Sequence, residues 1–195
     1  VRQFYSEVDA VHDFEHVLRV LRMAEHLAQV EGADLEIVRA AALLHDVRGS
    51  MPGSEGRAGH HIASAEFAGE VLAGEGWPEE RIARVQHAIR AHRYRGGREK
   101  PATTEARVIF DADKLDVLGA IGVARAMAYA ALSGQPFYAR PSEQFLQTGQ
   151  EQPGEPHSAY HEYHFKLCKI QDRLFTETAR AIARERTEYL AAYFE

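Results

Sequence analysis

Every long patterned segment of this 195-residue chain repeats its apolar side chains at three- and four-residue intervals, and no run of β-branched residues alternates as a strand would. That spacing lines one face of a helix, so the chain is expected to be all-α: a single-domain helical bundle over residues 1–195. No repeat on the order of 20 to 50 residues is present, which excludes a solenoid.

The first core helix is read from Glu7 to Glu31, with Val17, Val20, Leu21, Ala24 and Leu27 as its buried stripe and Gly32 as its stop. Asp34 caps a second helix running through Val47, and Ile37, Ala40, Ala41, Leu43 and Leu44 supply its apolar face. Helical pattern resumes from His60 to Ala73, Pro78 opens a helix toward His92, and Glu105 to Leu132 reads as one buried helix containing Gly119 and Gly122. Tyr160 to Glu195 returns to helix. The Gly-, Pro- and Ser-rich stretches at 48–59 and 133–157 are read as mobile loops, and Tyr94 to Pro101 as a further basic loop.

A net charge of −6 gives no general attraction to polyanions, so long nucleic acid is excluded as a partner while a small phosphorylated molecule held by local cations is not. No uninterrupted apolar run approaches the roughly 20 residues of a membrane span, and Val1 to Ala10 lacks a basic-then-apolar leader pattern. The single cysteine, Cys168, suits a reducing compartment. A soluble cytoplasmic protein is therefore expected, with no membrane partner and a homo-oligomer allowed.

Four residues resist a packing explanation: His16, the adjacent His45 and Asp46, and Asp113. The His45-Asp46 pair and Asp113 lie in otherwise apolar helical segments, where an uncompensated carboxylate is expensive, and imidazole with carboxylate is the donor set of divalent metals. His45 and Asp46 are roughly 100° apart around a helix, so both can face one ion only at a helix edge that borders a cleft. The expectation these residues raise is a metal site that hydrolyses a phosphate ester or anhydride.

Taken in order, His16, then Leu43-Leu44-His45-Asp46, then Ala112-Asp113 resemble the HD-domain superfamily of metal-dependent phosphohydrolases, over residues 10–130. Asp111-Ala112-Asp113-Lys114-Leu115-Asp116 with Gly119-Ala120-Ile121-Gly122, and the stretch from Lys166-Leu167-Cys168-Lys169 to Thr178-Ala179-Arg180, resemble a small bacterial subgroup of it. The resemblance implies a helical bundle holding one divalent ion, Mn²⁺, Mg²⁺, Fe²⁺, Co²⁺ or Ni²⁺, on His16, His45, Asp46 and Asp113. It also implies that the substrate is a nucleotide or related phosphate ester.

His61 and His60 open a helix, where backbone amides favour phosphate, so either can bind or protonate the leaving group. His87 and His92 are roughly 140° apart on their helix, and His92 is the one expected at the cleft. Should His61 and His92 both reach the pocket, a second ion fits. Arg19, Arg93, Lys114 and Lys166 are the candidate phosphate-binding cations, with Arg19 alternatively paired to Asp116, and Asp13 is a candidate for orienting an imidazole. Two rival readings share the scaffold: a diiron oxygenase, which needs extra histidine ligands, and a non-catalytic nucleotide or metal sensor.

Overall fold

The computed structural model describes residues 2–5, 13–49, 59–94 and 99–195, and among these the secondary structure is all-α. Asp13 accepts the His16 amide at 2.9 Å and so starts α1 (Phe14–Glu31), which Gly32 ends in the left-handed conformation at φ 71°. Asp34 caps α2 (Leu35–Leu44) through the amides of Glu36 and Ile37. There follow α3 (His60–Gly74), α4 (Glu79–Ala91), α5 (Thr104–Leu115), α6 (Gly119–Leu132), α7 (Glu143–Thr148), α8 (Ala159–Phe165) and α9 (Glu177–Phe194). Short 3₁₀ turns occupy Arg2–Tyr5, Leu167–Lys169 and Gln171–Arg173. No single helix among the described residues is long and apolar enough to cross a membrane.

Four boundaries differ from those the sequence suggests. α2 stops at Leu44 rather than Val47, so His45 is its C-cap and Asp46 lies in the turn beyond. The helix expected over 105–132 is two helices: the chain turns at 116–118, Gly119 adopts φ 68°, and a Cβ on Gly122 would lie 2.2 Å from the Val117 carbonyl oxygen. Gly119 thus supplies the left-handed backbone at this break and Gly122 the space for it. The stretch 133–157 contains α7, started by Ser142 and ended by Gly149 at φ 72°, and so is not without regular structure. The fourth boundary, the start of α1, falls at Phe14 rather than Glu7 because Asp13 is extended and caps it; residues 6–12, most of the 48–59 loop and residues 95–98 of the basic loop lie outside the described residues.

Two compact units are present, one built from Val1–Lys114 with Leu174–Ala179, the other from Leu115–Arg173 with Arg180–Glu195. In the first, α1 packs on α2, and α4 on both α2 and α3. Its core includes Val17, Val20, Leu27, Ile37, Val85, Ile89 and Ile109, all fully buried. Helices α3 and α4 approach closely at Gly69, where Gln86 crosses to donate to the Ala65 carbonyl at 3.0 Å. Fully buried Asp111 accepts from the Phe175 amide at 2.9 Å and from the Thr176 amide and hydroxyl at 2.8 Å each, which satisfies its carboxylate with three donors.

In the second unit α6 packs on α8. Asp116 carries Arg125 at 2.5 Å. Arg186 donates to the Leu115 carbonyl at 2.7 Å. Buried His161 takes the Ser158 hydroxyl on Nδ1 at 2.7 Å and donates Nε2–H to Glu155 at 3.0 Å. Tyr163 stacks on Phe194 with ring centroids 4.8 Å apart.

Candidate metal centre

The first unit brings His16, His45, Asp46, His60, His92 and Asp113 together, and each arrives from a different local cause. His16 sits in the first turn of α1, at the position fixed by the Asp13 cap, and is fully buried. Asp13 therefore caps the helix through a backbone amide and holds no ring among the described residues. Where α2 ends, the His45 ring turns back and donates Nδ1–H to the Ala42 carbonyl at 2.7 Å. A carbonyl can only accept, so Nδ1 carries the proton and Nε2 keeps its lone pair; that Nε2 is buried and makes no hydrogen bond among the described residues. His92, the C-cap of α4, repeats the device, with Nδ1 donating to the Ile89 carbonyl at 2.5 Å.

Two sets of potential ligands result, each with its donor atoms within 4.8 Å of one another: His16, His45 and Asp113 in one, Asp46, His60 and His92 in the other. His16 Nε2 lies 3.6 Å from Asp113 Oδ1, and the rings of His16 and His45 are 5.4 Å apart. Asp46 joins the two sets, with Oδ2 3.7 Å from His45 Nε2 and Oδ1 3.3 Å from His60 Nε2 and 3.5 Å from His92 Nε2.

Burial by itself would raise the carboxyl pKa of Asp46, yet the imidazoles of His45, His60 and His92 hold it well below the usual range. Asp113 is likewise depressed against the cost of burial, by Lys114 first and then by His92, His45 and His16. Burial lowers His92 despite its contact with Asp46, so the neutral ring is favoured. A neutral Nε2 facing a carboxylate oxygen sets two lone pairs against each other, an arrangement that a cation resolves. The donor chemistry, the fixed tautomers and the orphaned His45 Nε2 all fit a divalent metal.

His61 is buried beside His60, with ring centroids 5.6 Å apart, and its Nδ1 has no hydrogen-bond partner among the described residues. Burial first, then the charges of His60 and Arg93, lower its pKa to about 4, which makes it a proton acceptor rather than a donor near neutrality. It is His60, not His61, that reaches Asp46 together with His92. His87 points elsewhere: Nδ1 donates to Glu99 at 2.5 Å and Nε2 accepts the Ala102 amide at 3.1 Å. Of the candidate cations, buried Lys114 pairs with Asp113 and half-buried Arg93 follows His92. Arg19 lies half-buried one turn beyond His16, and Lys166 lies in the second unit against Glu162 at 3.4 Å.

Two contributors carried no signal in the sequence. Tyr5 is 5% exposed, its hydroxyl donates to the Leu43 carbonyl at 3.0 Å, and burial with the nearby Asp46 charge pushes its pKa up, keeping it protonated. Ser64 of α3 is fully buried and accepts the Arg48 amide at 3.1 Å, tying down the chain just after Asp46.

Residues 13–118 match the HD domain, which spans every residue of the cluster. The chain belongs to the HD-domain family. An uncharacterized Bacillus subtilis protein, YpgQ, is 32% identical to this HD protein over 99% of this chain and 86% of its own length. The crystal structure of YpgQ in complex with ADP superposes with a TM-score of 0.72 at 30% identity, covering 98% of this chain and 91% of that one. An HD-superfamily hydrolase from Bacillus thuringiensis superposes with a TM-score of 0.69 at 28% identity, covering 98% and 87% of the two chains. HD domains bind divalent metals, and this one has the histidine and aspartate groups to do so.

Proposed function

We propose that this protein is a divalent-metal-dependent phosphohydrolase whose substrate is a small phosphorylated molecule, a nucleotide or nucleoside polyphosphate. The observation that carries the reading is the convergence of His16, His45 and Asp113 within 4.8 Å, with Asp46 adjoining. His16, His45, Asp46 and Asp113 would hold the ion. Bound there, a divalent cation supplies a Lewis acid for a phosphoryl oxygen and makes water a competent nucleophile near neutral pH.

The chain's own residues do the rest. Lys114 keeps Asp113 ionised and offers an ammonium group at the cluster to neutralise phosphate charge. Arg93, close enough to His61 to depress its pKa, brings a planar guanidinium suited to a phosphoryl group. His61, unprotonated at neutral pH, is suited to accept the proton that attacking water loses. YpgQ was crystallised with ADP, which supports a nucleotide as the substrate class.

One observation favours a second ion: the two oxygens of Asp46 face different imidazole sets, Oδ2 toward His45 and Oδ1 toward His60 and His92. Two such sets could hold one ion each, which suits a binuclear hydrolase, and His60 with His92 are among the extra histidines the diiron oxygenase reading calls for. Metal content per chain, with iron and manganese loading compared, separates them: two manganese ions with phosphate release favour the hydrolase.

The deciding experiment incubates metal-stripped protein with nucleotides and phosphomonoesters in turn, each with Mn²⁺, Mg²⁺, Fe²⁺, Co²⁺ or Ni²⁺, and identifies products by ³¹P NMR. Release of phosphate or pyrophosphate that chelation abolishes is the expected result. Tight nucleotide and metal binding without turnover would instead make the protein a sensor.

A further inference from the structure

We infer that Tyr5 is a positioning residue of this centre: its hydroxyl clamps the end of α2 so that His45 and Asp46 turn toward the same point. The inference rests on reading His16, His45, Asp46 and Asp113 as metal ligands.

A helix end leaves carbonyls and amides without intrahelical partners, and whatever satisfies them sets the path of the chain beyond. At the end of α2 the Ala42 carbonyl is taken by the His45 ring and the Leu43 carbonyl by the Tyr5 hydroxyl at 3.0 Å. The same hydroxyl lies close to Asp46, whose backbone and charge both act on it. One phenol oxygen therefore bonds residue 43 and lies close to residue 46, where the helix gives way to a tighter turn. In that turn Val47 donates to the Leu44 carbonyl at 3.4 Å and Gly49 to the Asp46 carbonyl at 2.8 Å.

The position matters because successive α-helical side chains diverge by roughly 100°. Here His45 Nε2 and Asp46 Oδ2 come within 3.7 Å, and ligand placement tolerates errors of only about 0.5 Å. Tyr5 is itself held. Its ring packs with Val17 and Val47 and lies 5.8 Å from the Phe14 ring, while the preceding Phe4 meets Phe67 of α3 at 5.1 Å. The Arg48 guanidinium covers the same Phe67 ring at 4.2 Å. The turn Arg2–Tyr5 thus ties α3 to the point where α2 delivers its ligands.

The test compares the full chain, Tyr5→Phe and Val85→Ala, all metal-stripped, by Co²⁺ titration followed through the d–d absorption bands, with melting temperature recorded for each. Tyr5→Phe keeps the ring packing and removes the hydroxyl, whereas Val85→Ala lowers stability in the middle of α4. Tyr5→Phe should bind Co²⁺ about tenfold more weakly and with a changed band shape, the effect of losing a partner that orients a ligand. Val85→Ala should melt earlier yet bind Co²⁺ as the unaltered chain does. Unchanged affinity and spectrum in Tyr5→Phe overturns the inference, and so does equal weakening in both variants. Failure of the unaltered chain to bind Co²⁺ would instead remove the metal-site reading beneath it.

Discussion

His45 and Asp46 adjoin in sequence but do different work, and the difference lies in their partners. His45 spends Nδ1 on the Ala42 carbonyl and so presents a lone pair at Nε2. Asp46 spreads its two oxygens over three imidazoles. Replacing Asp46 with Asn removes an anionic donor from a preformed cluster without adding bulk. Asp46→Asn should lose metal affinity by more than the roughly 10- to 100-fold typical of a mere supporting partner, together with phosphohydrolase activity, while far-UV circular dichroism stays unchanged. Full turnover with normal metal content in this variant would refute the ligand assignment. His61 shows what residue type alone leaves open, because its chemistry depends on burial and on its distance from His60 and Arg93.

At the scale of elements, caps and breaks decide more than periodicity does. Asp13 and Asp34 are recognisable as helix starts because a short carboxylate before an apolar stripe has one dominant use there. The ends are harder to read: α2 stops three residues before its apolar pattern does, since the cap comes from Tyr5 and from the His45 ring. The segment around α7 is held by Glu155, which accepts from the Gln152 amide, the Ser142 amide and hydroxyl, and His161. Those bonds, with the Gln152 and Ser142 amides foremost, lower its pKa from the ordinary 4.5 to about 2. A carboxyl depressed on folding adds stability that is complete above the unfolded pKa and lost as pH falls through the folded one. Urea midpoints of the unaltered chain should therefore drop between about pH 5 and 2 by more than those of Glu155→Gln, with the gap between the two proteins closing at the acid end. Parallel curves would show that Glu155 does not hold this segment.

For the whole molecule, a metal held at this cluster would couple binding to stability. An ion present at 100 times its Kd should stabilise the folded chain by about 2.7 kcal/mol. At roughly 2–4 °C per kcal/mol for a chain of this size, that is a rise in melting temperature of about 5–10 °C, read by differential scanning calorimetry and reversed by EDTA. Asp46→Asn should show little of it. Because the chain forms two compact units, any resolved second transition should stay in place while the transition of the unit containing His16 and Asp113 moves. A melting curve indifferent to every divalent ion tried would sink the metal-dependent reading.

The sequence by itself determined the all-α class, most helix cores, and the order His16, His45-Asp46, Asp113, because helical periodicity and helix starts are local and the cost of burying a charge shows in residue type alone. Only the tertiary structure decided that His60 rather than His61 meets Asp46, that His87 turns to Glu99, and that the stretch 105–132 breaks into two helices before Gly119. It alone linked Tyr5 to the end of α2. Such choices depend on where a helix stops and which distant group satisfies its last carbonyls, and a contact across 38 positions leaves no periodic trace in the chain.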